Sequence, residues 1–243
     1  MADIAERLEG YSMSAASRIG YGRLFVWKDL LFHPDETLER EIGNASIGRG
    51  AKDVFISAYV LFLMEFVMVG ILAGAVALML VLLFSGGSLP GLESILSLAA
   101  LAAGILAAVV IGSAIFAGSS VLGQLFWTGL ELAIARLVGG KGEYAQHFYL
   151  NAIAASAGYM AVIPLTLLSL VPCLGYVFSM ISVGLAAYLL YIKYKAIRLV
   201  HGIGQKEAIF VAIAPSAVLV VLFVALYALI FFGFFAAGLF GGM

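Results

Sequence analysis

The chain has 243 residues, of which 64% are hydrophobic and 11% charged, and its mean hydropathy is +1.12. A soluble domain carries about 45–50% apolar and about 25% charged residues, so a water-soluble fold is excluded and lipid must solvate much of the chain. A net charge of −1 offers no footprint for nucleic acid, and the single cysteine, Cys173, excludes an internal disulfide or a cysteine metal cage.

Residues 1–53 form a polar arm with seven Lys and Arg residues. Its first twenty residues lack the apolar core of a cleavable signal peptide, so the first span is expected to act as the targeting element. Leu24, Phe25, Trp27, Leu30, Leu31 and Phe32 make an apolar, aromatic patch over 24–32. Two readings of it are open: an interfacial helix in the headgroup layer, or a segment packed on the membrane domain. Pro34, followed by Asp35, Glu36 and Glu39, predicts a helix start, and Gly43 its end.

Five apolar stretches follow, at about 54–84, 95–127, 147–171, 174–192 and 209–232. Crossing the hydrocarbon takes about 20 helical residues. The first two stretches, of 31 and 33 residues, exceed that and are predicted to protrude as a hairpin. Gly86, Gly87 and Pro90 break the first hairpin, and Pro172 to Gly175 turn the second. Lys and Arg number 7, 0, 2, 0, 4 and 0 in the successive non-spanning segments. Basic residues gather on the cytoplasmic side, so the N-terminus is predicted inside and the C-terminus outside. A six-span reading would put Lys193 to Lys206 outside, against that rule. The predicted fold class is all-α: a polytopic integral membrane protein with five transmembrane helices over 54–243, multi-pass in the cell membrane.

Intramembrane acids are candidate functional residues because a charge in hydrocarbon costs several kcal/mol. Glu65 lies either near mid-membrane or, since 66–84 is uninterrupted and apolar, at the cytoplasmic boundary. Centring the first hairpin near residues 89 and 90 puts Glu65 level with Ser113 and Ile115. The same register puts Glu131 beside Arg49 and Lys52, as a structural ion pair at the rim. In the second hairpin Asn151 falls level with Lys195 and is read as a helix contact. His33, His147 and His201 share no metal-ligand spacing, so no metal site and no cofactor are expected. Gly139-Gly140-Lys141-Gly142 is no phosphate loop, because Ala135 and Gly142 stand where a glycine and a Ser or Thr are required. The Asn44-Ala45-Ser46 sequon would go unused on the cytoplasmic side. With no HExxH, GxSxG or paired-acid motif, no catalytic residue is assigned and the chain is read as no enzyme. Gly70 with Gly74, and Ala114 with Gly118, have the small-xxx-small spacing of close helix contacts, either internal or between copies. Pro164 and Pro215 interrupt spans three and five.

Three stretches carry a family resemblance: Gly139 to Tyr144 before span three, Val171-Pro172-Cys173-Leu174-Gly175, and His201 to Ala208 before span five, with Pro215 inside it. With Phe32 to Thr37 ahead of span one, they resemble the Yip domain family of membrane proteins that interact with Rab-type (Ypt) GTPases, in its prokaryotic branch. Gly158 departs from that pattern, in which a proline is frequent. The resemblance implies five spans, an inside N-terminus and a role in membrane organisation, with Rab partners not expected in the prokaryotic branch. The leading expectation is therefore a membrane-organising or bilayer-shaping scaffold. Its cytoplasmic partner face is Lys141, Glu143, Tyr144, Lys195, Arg198, His201 and Lys206. Its expected partners are the lipid bilayer, a second copy of the chain and a cytoplasmic protein. The alternative is a small-solute or ion transporter using Glu65, Asn151 and the proline-broken helices.

Overall fold

The computed structural model describes residues 21–84, 92–169 and 175–240. The first-hairpin break at Gly86, Gly87 and Pro90 and the turn residues Pro172 and Cys173 lie outside the described residues, as does the arm before Tyr21. Seven helices account for nearly all of the rest: α1 Tyr21–Phe32, α2 Pro34–Ile42, α3 Ile47–Phe84, α4 Leu92–Leu137, α5 Tyr144–Ser169, α6 Gly175–His201 and α7 Gln205–Phe240. No strand occurs among the described residues. Five of these helices are long and apolar enough to cross a membrane. The chain is an all-helical, multi-pass membrane protein.

The helices outrun the apolar stretches at one end. At about 1.5 Å per residue, the 38 residues of α3 reach about 57 Å, well beyond a hydrocarbon core of about 30 Å. The surplus lies at the charged end, where α3 starts at Ile47, α4 continues to Leu137 and α6 to His201. Antiparallel packing brings every described Lys and Arg to this end.

Packing divides the bundle into two halves. Trp27, Leu30 and Leu38 from the arm are buried with Tyr149, Leu150, Ile153, Ile192 and Ala196. Ala135, Ile197, Ile203, Ala208 and Val211 form a second cluster at the same end, and Val54, Phe148 and Ala152 a third. Toward the opposite end the side chains open outward: Val69 to Leu80, Leu101 to Ile111, Tyr176 to Val183 and Val218 to Phe232 are mostly exposed and apolar. Exposed surface of this kind is stable only against hydrocarbon, so it is where lipid chains lie.

The arm is part of the bundle. Full burial contributes about 1.5–3 kcal/mol for a Leu side chain, and Leu30 and Leu38 are both essentially inaccessible. Pro34 occupies the first turn of α2, with Asp35 and Glu36 at its positive end. Gly43 closes α2 with φ −68°, so this stop does not use the left-handed conformation. A tight bond from Asn44 N–H to the Glu41 carbonyl ends the helix instead.

The small-residue motifs do not serve internal packing. A Cβ at Gly70, Gly74 or Gly118 would meet nothing within 4 Å. The close approach is elsewhere, at Gly158, where a Cβ would sit 2.6 Å from Leu189 Cδ1. That contact lets α5 and α6 meet and accounts for a glycine at this place. Pro164 and Pro215 lie inside continuous helices and break neither.

Candidate functional site

One face of α4 carries Thr128, Glu131 and Ala135 inward, and one face of α5 carries His147 and Asn151, four residues apart. The last turns of α6 add Lys193 and His201. Together they build a buried polar cluster at the charged end, inside the ring formed by α4, α5 and α6. Glu131, His147 and Thr128 have no accessible surface, and Asn151 and His201 are nearly as buried. Asn151 Nδ2 donates to Glu131 Oε2 at 2.6 Å. The Lys193 ammonium pairs with Glu131 Oε1. His147 Nε2 lies 3.2 Å from Glu131 Oε2 but is not aligned as a hydrogen bond.

The histidines are ordered by the backbone. Gly142 N–H donates to His201 Nδ1 at 3.1 Å. An amide can only donate, so His201 Nδ1 is unprotonated and its proton is on Nε2. His201 Nε2 is 3.0 Å from His147 Nδ1 and donates to it, which leaves the His147 proton on Nε2, facing Glu131. Both rings are thus neutral, and the chain runs in one direction from the 139–143 loop to the carboxylate. This order opposes metal binding: coordination through His201 Nε2 would require Nδ1 to carry a proton, against the Gly142 amide. No group of three His, Cys, Asp or Glu side chains suited to a metal occurs among the described residues.

Two loops clasp each other around His201. Lys141 N–H donates to the His201 carbonyl at 3.3 Å, and Arg136 Nη2 to the Gly142 carbonyl at 2.9 Å. Gly139 turns with φ +90°, a left-handed conformation open to glycine. Gly140 and Gly142 press on Ala135, Val200 and His201 with no room for a side chain. Gly140 and Gly142 are therefore parts of a joint between the α4–α5 connection and the end of α6.

A second polar network fastens the arm. Arg23 Nε donates to Asp53 Oδ1 at 2.9 Å while Nη2 pairs with Oδ2, a two-pronged contact suited to guanidinium. Arg23 Nη1 donates to Tyr149 Oη at 3.1 Å, and that hydroxyl donates to Glu41 Oε2 at 2.5 Å. Asp53, Glu41 and Tyr149 are buried. Lys195 pairs with Asp35 and Arg40 with Asp29 farther out. Replacing Arg23 with Met strands the buried Asp53 carboxylate, so Arg23→Met is expected to cost about 2 kcal/mol, less than a fully buried pair because the Arg side chain is one-third exposed. Proteolysis within 33–46 should become at least several-fold faster; an unchanged rate means the arm is held by its apolar face alone.

The chain matches no family model, no curated protein and no solved structure.

The structure joins Glu131 and Asn151 and leaves Glu65 apart. Glu65 is half-buried on α3, and Phe62 and Phe66 beside it meet Phe116 at centroid distances of 5.3 and 5.7 Å, so its level on α4 is that of Ser113 to Phe116. Glu131 does not pair with Arg49 or Lys52. Arg49 instead bonds the Asn44 carbonyl at 3.2 Å, because Glu131 points away from the start of α3 toward α5 and α6. Asn151 makes a helix contact, from α5 to the Glu131 carboxylate on α4. Among the residues assigned to an outer partner face, Lys141, Glu143, Arg198 and Lys206 are exposed, while Lys195 is held by Asp35. His201 is buried and belongs to the inner cluster, a correction to its place on that face. Half-buried Tyr144 donates to the Leu125 carbonyl at 2.9 Å, locking α5 to α4. Sequence reasoning passed over Lys193, Thr128 and the Arg23 network.

Proposed function

We propose that this protein is a bilayer-shaping scaffold of the cell membrane, with its charged end in the cytoplasm, built on the Yip-domain plan that its loops resemble. It acts by shape and by recruitment, not by catalysis. The observation that carries this reading is the two-sided helix α1. One side, with Arg23, Trp27 and Leu30, is fastened into the bundle. The opposite side presents Leu24, Phe25 and Phe32, exposed at 48%, 54% and 68%, with Lys28 among them. This helix lies beside Asp53 and Tyr149, at the charged end of α3 and α5.

An apolar helix face with a basic residue inserts among headgroups and adds area to one leaflet only. Because the other face of α1 is locked, the wedge moves with the whole bundle, and each copy bends the bilayer in the same sense. Lys141, Glu143, Arg198 and Lys206 then offer a charged rim for a cytoplasmic protein.

The test is reconstitution into liposomes of phosphatidylcholine and phosphatidylglycerol, with vesicle diameter read by electron cryomicroscopy. Wild type is expected to lower the mean diameter or draw tubules as protein density rises. The triple variant Leu24→Ser, Phe25→Ser, Phe32→Ser alters exposed positions only, and it should restore the diameter of protein-free vesicles. Wild-type protein that leaves vesicle shape unchanged refutes the reading.

A further inference from the structure

The inner cluster leaves three oxygens and the His147 Nε2–H without a hydrogen-bond partner. Asn151 Oδ1 and Thr128 Oγ1 are fully buried and have no hydrogen-bond partner, and Glu131 Oε1 has only the ammonium of Lys193 beside it. Other buried hydroxyls are occupied: Ser57, Ser113 and Ser156 each bond the carbonyl one turn back, at 2.8 Å. Thr128 makes no such bond. A buried polar atom without a partner is costly, and a native cluster rarely keeps several together without something to bind.

We propose that Glu131, Asn151 and Thr128 form a binding site for a small monovalent cation, which competes with the Lys193 ammonium for Glu131 Oε1. The donor set is a carboxylate, an amide carbonyl and a hydroxyl, all hard oxygens of the kind that suit alkali cations over transition metals. One carboxylate balances one positive charge, so the buried site stays neutral with either occupant, and a divalent ion would leave it charged. The neutral His147 ring directs an N–H toward the same carboxylate and does not compete as a ligand. Lys193 is the only member with a way out. Its side chain is 20% exposed on a flexible four-carbon stem, and its ammonium lies 5.9 Å from the Trp127 ring centroid, which offers it a second resting place. Cation entry thus releases a lysine toward the aqueous rim, which couples ion occupancy to the surface beside the α4–α5 loop.

The test uses full-length wild-type protein in lipid nanodiscs at fixed pH and ionic strength, in lithium, sodium, potassium or choline chloride. Lysine acylation by a water-soluble succinimidyl ester is followed by mass spectrometry, with exposed Lys141 and Lys206 as internal references. Lys193 labelling, relative to those two, is expected to rise at least threefold in one alkali salt over choline. Lys193→Met removes the competitor, so its unfolding temperature should depend on the same salt at tenfold lower concentration than wild type. Adding Glu131→Gln should abolish that dependence. A relative Lys193 labelling rate that is equal in all four salts overturns the site and leaves a closed ion pair.

Discussion

Glu131→Ala is expected to destabilise the protein by about 3–5 kcal/mol, the range for removing one partner of a buried ion pair. The carboxylate is the centre of its cluster. It receives Asn151 at 2.6 Å, pairs with Lys193 and faces the His147 N–H, and it has no accessible surface of its own. Its loss strands an amide and an imidazole in a dry interior and obliges Lys193 to swing outward. Replacing both charges, Glu131→Leu with Lys193→Leu, should cost less than the single variant, because no ammonium is then left unpaired, although Asn151 and His147 still lose their acceptor. Unfolding in mixed detergent micelles, followed by circular dichroism, measures both. A single variant as stable as wild type would show that the carboxylate is dispensable to the fold.

Gly142→Ala is expected to cost about 3 kcal/mol, from overpacking and from loss of the loop clasp. The added methyl would overlap Val200 Cγ1 and come within 2.6 Å of the Val200 carbonyl and 2.8 Å of His201 Nδ1. Relief requires the 139–143 loop to lift, and that breaks the Gly142 bond which fixes the tautomers of both histidines. Nitrogen-15 shifts of His201 should therefore change together with stability. Gly139→Ala is the control: its site is open, with nothing within 4 Å, and only its φ of +90° resists a side chain. That strain is worth about 1–2 kcal/mol and should leave the His201 tautomer unchanged. Equal effects from the two variants would mean that the clasp contributes nothing beyond backbone strain.

The two loops richest in family-like motifs contribute chiefly a joint, and this bears on how motifs are read. Gly140, Gly142 and His201 stand out in the sequence because backbone and ring meet there without space for a side chain. Their pattern gives no hint of which element they press against. His201 illustrates the same gap. It sits in a charged segment next to Arg198 and Lys206, and composition alone assigns it to the outer surface. The fold turns it inward, because the last turn of α6 presents residues 196, 197, 200 and 201 to α4 and α5.

Composition, apolar run length and the segregation of thirteen basic residues were sufficient to establish a helical membrane protein with five spans. These are one-dimensional quantities, and the bilayer, being a slab, responds to one dimension: depth. Even the level of Glu65 on α4 followed from counting residues outward from the first hairpin. Azimuth was decided only by the tertiary structure. The spanning helices are apolar on nearly every side, so no periodic face in the sequence shows which residue of a turn points to lipid and which to a neighbour. Glu131 thus had the right depth and the wrong partner, and the arm's apolar patch is divided: Trp27 and Leu30 are buried in the bundle, while Leu24, Phe25 and Phe32 are exposed.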